Sequence, residues 1–278
     1  MSARPEWRAT RALAWLYSPA AQRPPLAALY AIEHEIGASA RPGLDHQVAH
    51  ARLAWWREEC VRCAEGQPVH PLTCDLAAAI APPARAALAG LTGLVDTAVW
   101  DLAAATFETR RELDAYCERW SAAMIEPLGS LALPAGTPAR LRPLGRSLRE
   151  LELLLALAPD ARAGRLRLPL DELAHAGVGP EELARPPWST SLAALVRARH
   201  RALRAALAAS VEALGRPQQA ALRGVVVWAA IAVHASVRAE ARLPDAGPAR
   251  DPRVWSDGWR AWRAARRAAA GRGLGRVD

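Results

Sequence analysis

Leu141, Leu144, Leu148, Leu151, Leu154 and Leu155 recur at spacings of three and four, and no other feature constrains the fold of this chain so tightly. A period of 3.6 residues places all six on one face of a helix, which must be buried against a partner. Arg142, Arg146, Arg149 and Glu150 fill the other side. The same period returns in block after block, without strand alternation or a hairpin signal. Proline and glycine set the breaks, at 18–25, 40–43, 66–71, 82–83, 134–138, 159–169, 186–187, 215–217 and 244–252. Roughly eight to ten helices are expected between them, several longer than about 20 residues. Alanine, leucine and arginine dominate, and aromatic residues are scarce apart from eleven tryptophans, a mixture that favours helix. With no internal repeat and no long polar linker, residues 1–278 read as one all-α domain.

Charge and cysteine content narrow the function classes. The net charge is +8, yet the chain contains no lysine at all. An all-arginine basic set reflects compositional bias as much as affinity for a polyanion, so nucleic acid is not an expected partner. Four unevenly spaced cysteines do not make a disulfide framework. The opening MSARPEWRAT lacks the apolar core of a signal peptide. The most apolar stretch, 224–233, is bracketed by Arg223, His234 and Arg238 and falls short of the ~20 residues that span a bilayer. A reducing, cytoplasmic setting is expected, with contact at the inner face of a membrane as a variant.

Four ordered segments carry a resemblance. They are Arg23 with Ala28-Leu-Tyr30-Ala-Ile, then Ala51-Arg-Leu-Ala-Trp-Trp-Arg57-Glu-Glu, then Asp101-Leu with Thr109-Arg-Arg-Glu-Leu-Asp-Ala-Tyr116-Cys, and Asp160-Ala-Arg-Ala-Gly164-Arg165-Leu-Arg-Leu-Pro169. Together they resemble the squalene/phytoene synthase family. The resemblance implies an isoprenoid-synthase-like helical bundle around a central cavity. It also implies two aspartate-rich motifs on facing helices, which hold magnesium against the diphosphate of a prenyl substrate. Magnesium requires hard oxygen donors, and carboxylates at i and i+4 share one helix face.

Both motifs depart from that pattern. In the first, Gly37 and Ala38 stand in place of the paired aspartates, His34 in place of an arginine, and Arg41 follows. Glu33 and Glu35, two residues apart, point about 160–200° away from each other and cannot substitute. In the second, Asp160 keeps the last aspartate, but the position one turn earlier is Ala156. Pro159 is expected to end or kink the helix by pushing Ala158 out of the helical region. The pattern resembles the branch of the family without prenyl-transferase motifs, which includes a mitochondrial assembly factor for respiratory complex I. The expected function is binding, as a lipid-handling or assembly factor with a lipid or protein partner, and without a cofactor. The rival is a prenyl transferase that uses Mg2+ on Glu33, Asp101 and Asp160 to condense prenyl diphosphates. In either case the resemblance assigns substrate contact to Tyr30, Arg57, Arg162 and Arg165, and Asp160 is the candidate metal ligand.

Other constellations have simpler readings. Cys60 and Cys63 extend the stripe of Leu53 and Trp56, so they are expected in the core rather than on zinc with His70 and Cys74. His46 and His50 have metal-compatible spacing but no third ligand beside them. Glu33 lies within the apolar arc of Leu26, Leu29, Ile32 and Ile36, and a buried carboxylate needs a partner. Arg52, Arg57 and Arg165 are the candidate partners. A basic helix at 251–272 carries Trp255, Trp259 and Trp262. These tryptophans are expected to pack on the domain, the alternative being a membrane interface.

Overall fold

The structure, a computed structural model, describes residues 9–41, 43–133, 141–246 and 254–275, with the side chains of all of these except 9, 83, 84, 254 and 255. The first helices are α1 (Ala9–Tyr17), α2 (Arg23–Ala38), α3 (His46–Ala64), α4 (Pro71–Ala79) and α5 (Thr92–Leu102). The middle of the chain forms α6 (Arg110–Ala132), α7 (Arg142–Leu155), α8 (Leu157–Arg162) and α9 (Leu170–His175). The last are α10 (Thr190–Glu212), α11 (Arg216–Ala221), α12 (Arg223–Glu240) and α13 (Val254–Ala269). Three 3-10 segments, of three, ten and five residues, lie between the helices, and the described residues contain no strand. The all-α expectation holds, but the helices are more numerous and shorter than the periodicity suggested. Only α6 and α10 exceed 20 residues, at 23 each. The six-residue helices α8, α9 and α11 sit inside what read as breaks or the ends of longer blocks.

Local chemistry sets the boundaries. Asp45 caps α3 by accepting from the backbone N–H groups of Gln47 and Val48. Pro71, Pro143 and Pro217 each sit in a first turn, where no intrahelical donor is lost. The same rule corrects the expectation for Pro159. The chain breaks at Ala156, between α7 and α8, and Pro159 falls in the first turn of α8. The Asp160 N–H still donates to Ala156 O at 2.9 Å, so the turn that would present two ligands is intact. Only the ligand at 156 is gone.

The bundle closes around α12, whose residues from Gly224 to Val233 are all buried. This is the apolar stretch flagged in the sequence, and no described helix is long and apolar enough to cross a membrane. Helix α1 lies against α12, α7 packs between α6 and α10, and α2 meets α4 and α5. Two glycines permit the close crossings. A Cβ at Gly224 would fall 2.6 Å from Ala14 O and nearer still to Ser18 Oγ, and one at Gly145 would fall 2.8 Å from Ile125 Cγ1 and nearer still to Ser121 Oγ. The first crossing fixes α1 and carries Arg11 into the centre.

On two helices the distribution of exposed and buried faces is informative, and on the second it overturns an expectation. On α7 the leucine stripe is buried as expected except for the half-buried Leu155, and its other side is only partly solvated. Arg142 is exposed and Arg146 half-buried, whereas Arg149 and Glu150 are enclosed, and Glu150 pairs with Arg110 and Arg199. On α13 the inward residues are Ala261, Ala264, Ala265 and Ala268, while Trp259 and Trp262 are 56% and 45% exposed. The tryptophans do not pack on the domain, because the small face lets α13 approach α12 more closely. The side chain of Trp255 lies outside the described residues.

Candidate functional site

The centre of the bundle holds an arginine. Arg11 on α1 pairs with Glu33 of α2 and reaches Glu152 of α7 at 3.5 Å. Its guanidinium carbon lies 4.8 Å from the centroid of the Trp228 ring, 5.5 Å from that of Tyr30 and 5.9 Å from that of Trp120. The indoles close the arrangement: Trp120 Nε1–H donates to Glu33 at 2.9 Å and Trp228 Nε1–H donates to Glu152 at 3.1 Å. Each carboxylate therefore faces a cation and an indole donor, which offsets the cost of enclosing its charge.

From Glu152 the network continues toward α5 and α8. Arg149 pairs with Glu152 at 3.4 Å and donates to the Tyr116 hydroxyl at 3.0 Å. Tyr116 donates to Asp101 at 3.2 Å. Arg167, only 4% exposed, donates to both Asp101 (2.7 Å) and Asp160 (2.9 Å), and Arg165 joins Asp160 at 3.2 Å. Four carboxylates and four guanidiniums thus alternate around one phenol, and their formal charges cancel. Burial raises the pKa of Tyr116, although Arg149 opposes it, so the phenol stays a neutral donor. Burial works against the Arg149 cation but is outweighed by Tyr116, Glu152 and Asp101, so its pKa ends raised.

Two cavities flank the Arg11 bridge. The larger, about 260 Å³, is lined by Glu33, Gly37, Arg41, Asp101, Trp120, Arg149 and Arg165, with apolar residues of α2 and α5. The smaller, about 160 Å³, is lined by Arg11, Glu152, Leu155, Ala156, Trp228 and Ala232, among others. Each lies below the ~300–1,000 Å³ usual for a small-molecule site. Gly37 and Ala156, the two positions where the resemblance expects metal ligands, line different cavities.

The fold brings only some of the sequence-predicted residues together. Glu33, Asp101 and Arg165 line the larger cavity, and Asp160 is held just behind it by two arginines. Glu33 is paired as expected, but with Arg11 and not with Arg52, Arg57 or Arg165. Tyr30 is 2% exposed and forms one wall of the box around Arg11. Arg57 is on the outside, paired with Asp96 at 2.6 Å, and Arg162 is an exposed residue that donates to Ala184 O; neither lines these cavities. Sequence reasoning missed Arg11, Trp120 and Trp228, and left Glu152 and Arg167 outside the site. The one signal for them was an arginine sharing a helix face with the buried Ala14 and Ser18.

The remaining constellations are structural. Cys60 and Cys63 are fully buried, and burial above all pushes both thiols up to about 12. His70 caps α4 by accepting from Leu72 N–H. His46 and His50 sit on the surface with their Nε2 atoms 3.1 Å apart.

The squalene/phytoene synthase family model matches residues 6–260. A solved structure of a dehydrosqualene synthase in complex with ligand superposes with a TM-score of 0.71 at 17% identity, over 94% of this chain and 90% of that one. Squalene synthase HpnC from Alicyclobacillus acidocaldarius gives a TM-score of 0.67, also at 17% identity, over 84% and 91%. Among curated proteins none matches. At this identity the two structures speak for the fold alone. The resemblance implies magnesium, and the described residues do not assemble the donor set it places on α2 and at the α7–α8 junction. Positions 37, 38 and 156 offer no donor, Asp101 and Asp160 share Arg167, and Glu33 holds Arg11. Among the described residues no group of three or more histidine, cysteine or carboxylate side chains is placed to hold a cation.

Proposed function

Because the chain belongs to the squalene/phytoene synthase family, we propose that it keeps the family's bundle as a binding scaffold and has given up head-to-head condensation of prenyl diphosphates. One observation carries this reading: the ion-pair bridge of Arg11 with Glu33 and Glu152 occupies the middle of the bundle and separates two small cavities. Two prenyl chains have no common space there. The same bridge consumes an acid that a rival, metal-using mechanism would need.

The larger cavity is nevertheless suited to an anion. Its two acids, Glu33 and Asp101, are each engaged by an arginine; of the arginines that line it, Arg149 and Arg165 are likewise engaged by Glu152 and Asp160, so the excess cation is Arg41. Arg41 is exposed at the rim and makes no ion pair among the described residues. Guanidinium forks suit phosphate oxygens without a metal. The ligand class is therefore a prenyl diphosphate or a related anionic lipid, bound by its head group and not turned over. Such retention is what a lipid-handling or assembly factor requires.

Incubation with farnesyl or geranylgeranyl diphosphate and Mg2+ is expected to release no pyrophosphate. A C30 or C40 product would falsify the non-catalytic reading and favour the rival built on Glu33, Asp101 and Asp160. Calorimetric titration with inorganic pyrophosphate in the presence of a chelator is expected to show binding, weakened about tenfold in Arg41→Gln. Binding that requires Mg2+ would argue against direct recognition by arginine.

A further inference from the structure

The outward face of α13 is built unlike the surface of a helix that simply covers a core. Its packing face consists of Ala261, Ala264, Ala265 and Ala268, all buried. Its two described tryptophans point the other way, with Trp259 56% and Trp262 45% exposed. Each carries a cation one turn further on. The Arg263 guanidinium lies 4.6 Å from the Trp259 ring centroid, and that of Arg266 lies 5.1 Å from the Trp262 centroid. Asp257 is the only acid between 254 and 275. It is buried and paired with Arg260 and Arg238, so α13 presents no carboxylate outward.

We propose that this face docks on an anionic lipid bilayer, with α13 lying in the plane of the interface. Indole rings favour the boundary where an apolar ring meets polar head groups. The arginines stacked on them would then sit at the level of the lipid phosphates, as in other interfacial helices that combine tryptophan with basic residues. A second copy of the chain fits less well, because a two-fold contact through this face would set Arg263 and Arg266 against their own copies with no acid between them. The inference does not depend on what the central cavity binds.

Flotation of the full chain with phosphatidylcholine vesicles, with or without phosphatidylglycerol, tests it. Each arginine near an anionic surface should strengthen binding roughly fivefold, so binding to the anionic vesicles is expected to be at least about tenfold tighter and to weaken in high salt. The exposed pair Trp259→Ala/Trp262→Ala should lose about tenfold or more in affinity, with an unchanged thermal melt. Arg263→Gln/Arg266→Gln should lose the preference for anionic lipid. Arg146→Gln, which removes an arginine of α7 outside both the cavity and this face, should float like the unmodified chain, which separates this face from general surface charge. The proposal is overturned if the unmodified chain ignores anionic vesicles or if the tryptophan variant binds as well as it does. Concentration-dependent self-association that depends on Trp259 and Trp262, without vesicle binding, would mark the face instead as a contact between copies and would equally overturn it.

Discussion

Replacing Arg11 with methionine should be among the most damaging single changes in the chain. The side chain is 13% exposed and lies between Glu33 and Glu152, themselves 14% and 11% exposed. Methionine fills much of the same volume, so the damage is electrostatic rather than a cavity. Removing one partner of an enclosed ion pair costs about 3–5 kcal/mol, because the other charge is left uncompensated. Here two carboxylates lose their cation. Each keeps an indole donor, and Glu152 also keeps Arg149, which holds this part near the lower end, at about 3 kcal/mol. The guanidinium also leaves the faces of three aromatic rings, and each such interaction contributes about 0.5–1 kcal/mol. The total is about 5 kcal/mol. The triple change Arg11→Met/Glu33→Gln/Glu152→Gln removes all three charges and leaves amide oxygens for both indoles. It should recover most of the deficit, to within about 1–2 kcal/mol of the unmodified chain. Urea unfolding at neutral pH measures both variants. A single variant that loses less than about 1 kcal/mol, or a triple variant no better than the single, would refute the reasoning.

Two further outcomes follow from buried polar groups away from the bridge. Glu59 is fully buried and accepts from Val69 N–H and His70 N–H, both at 2.9 Å, and from the Thr73 hydroxyl, while pairing with Arg62. Burial alone would raise its pKa, but those donors prevail and it is lowered from 4.5. Glu59→Gln should therefore cost about 2–4 kcal/mol at neutral pH, and chemical denaturation should show the deficit narrowing as pH falls through the carboxylate range. His200 bonds Ser236 at 2.9 Å, and burial foremost, with Arg204 beside it, depresses its pKa from 6.5 to about 4. The unfolded chain binds that proton first, so stability is full above pH 6.5 and falls as pH drops toward 4, by up to about 3 kcal/mol. His200→Gln should flatten that slope in a series of melts across this range; an unchanged slope would remove His200 as its cause.

The helical fold was legible because its signals are local. The leucine stripe of α7 sets a buried face within one helix, and Pro71, Pro143 and Pro217 mark helix starts by a rule that needs only the neighbouring backbone. The missing donors at Gly37, Ala38 and Ala156 were equally plain, since a side chain without oxygen cannot ligate wherever the helix lies. Glu33, Asp101, Asp160 and Arg165 were named from the sequence on the same footing, and the fold gathers them at or beside the larger cavity. Their partners were not. Arg11 meets Glu33 across 22 positions and Glu152 across 141, and Arg167 reaches Asp101 across 66. Such pairings depend on how α1, α2, α5 and α7 cross, which periodicity within a helix does not encode.

Helix α13 makes the same division sharply. Its sequence offers two faces, one of alanines and one of tryptophans, and hydropathy favours burying the larger side chains. Tertiary packing chose the alanines, because close approach to α12 leaves no room for an indole between two helix backbones. What the sequence by itself determined is that this chain folds into helices and carries no oxygen-bearing side chain at positions 37, 38 and 156. Only the tertiary structure decided which charges neutralise one another at the centre and which aromatic face meets the outside.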